Sequence, residues 1–296
     1  MVLHVRNLVI GPAHAHSAKR RAAAAASGAA TSGAAAPIAP NAIVRGVSLD
    51  VAPGERVGLV GPSGSGKSMI SRAILGILPA SLESSGSIKL GGTEVIGAPD
   101  AQLADLRGRF VSAVFQNPGS ALDPVHTIAH TIGLPLTLHY DVNRDEVHDR
   151  VLAQMDAVDL PRSLAGAYPY ELSGGQRQRV AIAAALITSP RLIIADEPTT
   201  ALDAVVQRDV VDLLVRLVDG LGASLLFITH DFVVLRRATT RCYVMEHGTI
   251  AESGETEALM RTPQTEIGKA LVNAAEQLTL HGGAESGDAE GEVNHE

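Results

Sequence analysis

The sequence predicts an α/β fold with an antiparallel edge and an inserted helical subdomain. Three observations carry this. Short apolar runs at 57–60, 111–115, 192–195 and 225–229 alternate with stretches of helical period, as strands covered on both faces do. Between 117 and about 189 the strand signals fade and helical periods dominate. Gly91-Gly92 and His247-Gly248 sit between short strand-like runs, which marks two hairpins.

In chain order, residues 2–10 and 43–51 read as strands. They flank residues 13–40, an Ala-, Ser- and Gly-rich stretch that includes His14, His16 and the basic run Lys19-Arg20-Arg21. This stretch has a superficial likeness to a secretory signal. It lacks a Leu-rich centre and follows a strand, so a flexible low-complexity insertion is expected. Pro53-Gly54 turns the chain into the strand at 57–60, and a helix is expected over 69–78. Strands at 87–90 and 93–96 form the first hairpin. A helix over 101–109 and a strand over 111–115, ending at Gln116, follow. Helices are expected at 144–158 and 176–188. The second is built of small and apolar residues and is expected to be buried nearly all round. A helix at 204–219 separates the last two buried strands, and a hairpin of 241–245 with 249–252 closes the core. The end of the chain is acidic and rich in Gly, Ala and Glu, so 276–296 is expected to be a disordered tail.

Composition narrows the function. With 296 residues and 46% hydrophobic content, the chain can bury a substantial core. No apolar run approaches the roughly 18 residues of a membrane span, so no transmembrane helix is expected. The formal net charge is -8 without a dense basic patch, which argues against nucleic acid as a partner. A single cysteine, Cys242, leaves no intramolecular disulfide or cysteine-based metal cluster, in keeping with a reducing cytoplasm.

The chemistry concentrates in three places. Gly61-Pro62-Ser63-Gly64-Ser65-Gly66-Lys67-Ser68 lies between an apolar strand and a helix. Glycines let backbone N–H groups close around phosphates, and the helix N-terminus adds partial positive charge. Lys67 can reach the terminal phosphates of a nucleoside triphosphate, and the Ser68 hydroxyl can ligate Mg²⁺. Second, the strand at 192–195 ends in Asp196 and Glu197. Successive side chains diverge there, so Asp196 can face a metal while Glu197 faces an attacking water. Third, Leu172-Ser173-Gly174-Gly175-Gln176 opens the Ala-rich helix and makes a second anion-type helix end. By themselves these five residues favour an ordinary capped helix. One nucleotide does not need two such ends from one chain, so the second could serve a nucleotide held by another chain.

Taken together these motifs resemble the ATP-binding subunits of ABC transporters over roughly residues 1–275. Residues 61–68 match the Walker A motif, 172–176 the family signature, and 192–197 Walker B with its catalytic Glu. Gln116 matches the Q-loop, Ala201-Leu202-Asp203 the D-loop and His230 the H-loop. Phe115-Gln116-Asn117-Pro118, Leu122-Asp123-Pro124, Tyr168-Pro169-Tyr170-Glu171 and Thr229-His230-Asp231 resemble the oligopeptide, dipeptide and nickel importer branch. The cysteine-bearing C-terminal extension of many peptide members is missing, which leans toward the nickel type or a divergent peptide member.

The resemblance implies a P-loop NTPase (RecA-like) core with an antiparallel β subdomain and a helical ABC-type subdomain at about 117–189. It implies ATP and Mg²⁺ as cofactors, with Ser68, Gln116 and Asp196 placing the metal, Glu197 polarising water and His230 contacting the γ-phosphate. Ser173, Gly174, Gly175 and Gln176, with Asp203, would complete the site of a second ATP-binding subunit. Two integral membrane permease subunits, docking near 116–140, and an extracytoplasmic solute-binding protein are the further partners implied. The location implied is peripheral, on the cytoplasmic side of the plasma membrane. One feature departs from the family. No Tyr, Phe or Trp lies between 1 and 109, where an aromatic usually stacks on adenine. Stacking is worth about 1 kcal/mol, so modest affinity and poor base selectivity are expected, with His14 or His16 as substitutes. A soluble ABC-type ATPase acting on ribosomes or DNA, and a non-hydrolysing regulatory module, are the competing readings.

Overall fold

The computed structural model describes residues 1–13, 41–116, 122–200 and 202–284. The stretch 14–40 with His14 and His16, Asn117 and Pro118, Ala201, and residues 285–296 lie outside the described residues, as do the expectations placed on them. Strands β1 (Leu3–Pro12), β2 (Val44–Val51), β4 (Leu82–Leu90) and the two-residue β5 (Thr93–Glu94) form an antiparallel sheet in the order β2-β1-β4-β5. Strands β3 (Arg56–Val60), β6 (Val111–Phe115), β7 (Leu192–Asp196), β8 (Ser224–Thr229) and β9 (Arg241–Glu246) are parallel, and β10 (Thr249–Glu255) is antiparallel to β9. Their order is β10-β9-β3-β8-β7-β6.

The two-residue period of a strand splits this second sheet between two cores. Leu192 and Ile194 of β7, with Leu226 and Ile228 of β8, face the core shared with the antiparallel sheet and helix α1 (Lys67–Ile74). Ile193, Ala195, Leu225 and Phe227 face the core covered by helices of the insertion and of the C-terminal half of the chain. Both faces are therefore dry, which accounts for the nearly unbroken apolar runs.

Helix α1 stops four residues short of the expected end at 78. Gly76, at φ 67°, takes the left-handed conformation that terminates it. Helix α2 (Asp100–Leu106) also ends early. Between β6 and β7 lie α3 (Ile128–His139), α4 (Arg144–Ala157), two 3₁₀ turns and α5 (Gly174–Leu186). Residues 180–188 are buried or half-buried on every side, as expected. Helix α3 is not legible from propensity, because Gly133 and Pro135 lie inside it. Thr127 caps it, and Ile128, Ile132 and Leu136, one turn apart, are fully buried. Helix α6 (Ala204–Leu221) follows β7 and ends at Gly222. Helices α7 (Phe232–Ala238), α8 (Thr256–Arg261) and α9 (Glu266–Ala284) complete the chain. The last corrects the expected tail: residues 276–284 are helical, and the boundary placed at 275 falls inside α9. Val272 and Ala275 are buried, and this packing carries the helix through the boundary. Among the described residues no helix is long and apolar enough to cross a membrane.

Candidate functional site

The glycine loop joins the end of β3 to the start of α1. A Cβ on Gly61 would lie 2.2 Å from the Met245 carbonyl oxygen of β9, so only glycine fits there. Gly64 and Gly66 take left-handed φ values of 80° and 102°. Lys67 is buried, and its Nζ donates to the carbonyls of Gly61 (2.8 Å) and Pro62 (3.0 Å). Burial pushes its ammonium below the ordinary value, with the charges of Glu197 and Asp196 opposing that fall. The Ser65 hydroxyl is buried without a hydrogen-bond partner.

Asp196 closes β7 and is 4% exposed. Its Oδ1 accepts from Ser68 Oγ at 3.1 Å and its Oδ2 from Ser71 Oγ at 2.7 Å. Burial holds its carboxyl above the usual range despite these two bonds. Glu197 follows with φ 52°, a left-handed backbone that turns its side chain away from that of its neighbour. Its carboxylate lies 2.8 and 2.9 Å from His230 Nδ1 and accepts from Thr200 Oγ1 at 2.8 Å. A cavity of about 460 Å³ brings together Ser63, Gly64, Gly66, Lys67, Ser68, Gln116, Glu197 and His230. Asp196 sits behind Ser68, and Ile43, Met69 and Thr200 complete the lining.

Ser173 to Gln176 lie elsewhere. Ser173 Oγ accepts from the Gln176 N–H (3.3 Å) and Gln176 Oε1 from the Ser173 N–H (2.9 Å), a reciprocal cap on α5. A Cβ on Gly175 would meet Val206 at 2.8 Å, so this glycine lets α5 start against α6. Asp203 caps α6 through the N–H groups of Val205 and Val206. These residues gather at the adjoining starts of α5 and α6, outside the cavity's lining. Sequence reasoning gave no role to Ser71, Thr200 or Ile43. For Ser71 a signal existed: it follows Ser68 by three residues and shares its helix face.

The residues suit a triphosphate with Mg²⁺. A desolvated ammonium, an unpartnered hydroxyl and a helix N-terminus together call for an anion. A buried carboxylate beside the Ser68 hydroxyl calls for a cation. Bound there, Mg²⁺ would neutralise charge on the phosphates.

Comparison with known proteins agrees. Residues 44–200 match the profile of the ABC transporter family. The chain is 45% identical over 222 residues to the peptidoglycan transport ATP-binding protein of Agrobacterium fabrum. That match covers 74% of this chain and 41% of the relative, so the chain spans about two fifths of its length. It is 34% identical to the metal-staphylopine import system ATP-binding protein of Staphylococcus aureus, covering 81% of this chain and 89% of that one. A dimeric ATP-binding cassette in a post-hydrolysis state, bound to ADP and Pi, superposes with a TM-score of 0.69 at 27% identity, covering 86% of this chain and 98% of that one. With its phosphate loop, the buried acid at a strand end and the helical insertion, the chain belongs to the ABC transporter family of ATP-binding cassettes.

Proposed function

We propose that the chain is the ATP-hydrolysing subunit that powers an ABC importer for peptides or nickel-like small solutes. The observation that carries this is the single cavity joining Lys67, Ser68 and Gln116 to Glu197 and His230, while Ser173 to Gln176 stand outside it. Lys67 and the loop backbone bind the phosphates. Ser68, Asp196 and Gln116 hold Mg²⁺. Glu197 orients and polarises water, and His230 reaches the γ-phosphate. Residues 173–176 and Asp203 of one subunit complete the site of a second.

Leu134 and Leu138 of α3, with Ile77, are partly to largely exposed along an apolar groove of about 430 Å³ between α3, β6 and α5. This supports docking of two permease subunits near 116–140, with an extracytoplasmic solute-binding protein delivering the cargo. The chain then works peripherally, on the cytoplasmic side of the plasma membrane. Ile43 and Met69 are the apolar residues of the cavity lining, and neither can stack as an aromatic does. Modest affinity and weak discrimination between ATP and GTP follow, and a strongly unequal competition between the two would reject this point.

The deciding experiment substitutes Glu197→Gln in the complex with its copurifying membrane proteins. Turnover is expected to fall at least about 100-fold while ATP binding persists. Turnover near the wild-type rate would remove Glu197 from the role given to it.

A further inference from the structure

The phosphate-loop motif ends at Ser68, three residues before Ser71. Yet Ser71 is fully buried, with its hydroxyl 2.7 Å from Asp196 Oδ2 and 2.9 Å from the Ser68 carbonyl oxygen. A hydroxyl carries one hydrogen, so these acceptors compete, and the carboxylate is the stronger. Ser68 Oγ meets the other oxygen, Oδ1, at 3.1 Å. The two serines stand three residues apart on α1 and share a face. One helix face therefore clamps both oxygens of the acid at the end of β7.

We propose that Ser71 is a positioning residue for the Mg²⁺ site, fixing the rotation of the Asp196 carboxylate so that Oδ1 stays turned toward Ser68. This rests on the reading of Asp196 as a holder of the metal. Ser71 itself touches neither cation nor nucleotide. It leaves Ser68 free to offer its oxygen to a cation, because the second bond to Asp196 does not depend on Ser68. Removing the Ser71 hydroxyl strips Oδ2 of its donor in a place that water does not reach.

The test compares the wild-type protein with Ser71→Ala, a smaller residue that favours helix. Two titrations are made: ATP with metal removed by chelator, and Mn²⁺ in the presence of ATP, followed by the paramagnetic signal of free Mn²⁺. Metal-free ATP binding is expected to stay within about two-fold. Mn²⁺ binding to the ATP-loaded protein should weaken on the order of ten-fold. Unchanged Mn²⁺ affinity overturns the proposal. So does an equal loss in both titrations, which would mark Ser71 as a packing residue alone. A wild type whose ATP binding ignores Mn²⁺ overturns instead the metal reading of Asp196, and the proposal falls with it.

Discussion

At the scale of the residue, the site is written in positions where no other side chain could stand. Gly61 is the clearest. Its neighbour, the Met245 carbonyl, belongs to β9, which is paired to β3 and β10 and cannot retreat. Gly61→Ala must therefore displace the loop, and ATP binding is expected to weaken more than about ten-fold with little change in overall helicity. Isothermal titration beside circular dichroism checks this, and undiminished binding would refute it. Gly61, Lys67, Ser68, Asp196 and Glu197 were legible in the sequence because motif spacing encodes local geometry. Thr200 and Ile43 were not. Ile43 stands just before β2 and Thr200 just after β7, and no local period announces that the two meet in one cavity. Asp203 reads in the sequence as part of a second subunit's site, and within this chain it caps α6.

At the scale of the element, strands were read better than helices. The strands around the site are apolar on both faces and bounded by turns, so their period and their punctuation agree. Helix α3 hid behind Gly133 and Pro135, and only burial of its one-turn stripe outweighs their poor propensity. Helix α9 hid because its anchor lies on another element. Glu252 of β10 accepts from the N–H of Gln264 and from the N–H and hydroxyl of Thr265, just before α9 begins. Burial alone would raise its carboxyl, but these bonds outweigh it and hold the group below its ordinary value of 4.5. A depressed value in the folded state means stabilisation that is present above pH 4.5 and lost as pH falls through the folded value. Glu252→Gln is expected to cost about 1–2 kcal/mol at neutral pH and to flatten this part of the acid dependence. Thermal melts of both proteins from pH 7 down to about pH 3 measure it, and parallel pH profiles would reject the staple.

At the scale of the whole molecule, one six-stranded sheet separates two cores and carries the loop, the buried acid Asp196 and Glu197 at the ends of β3 and β7. Rigid strands thus set the distances inside the cavity, while α5 and α6 present Ser173 and Asp203 on a different side. The proposed sharing of one site between two chains predicts that ATPase activity per chain follows the fraction of chains in dimers. Dilution, with sedimentation run in parallel, tests this. Activity per chain that holds constant into the monomeric range would contradict a shared site. Facing the Glu197 carboxylate, His230 Nδ1 is the donor, and a neutral imidazole owns only that one N–H. Its Nε2 is then a lone pair, which repels a phosphate oxygen. Under the roles proposed for these two residues, an imidazole with one N–H cannot hold Glu197 and donate to a phosphate oxygen together, so engaging the nucleotide and releasing Glu197 become a single event.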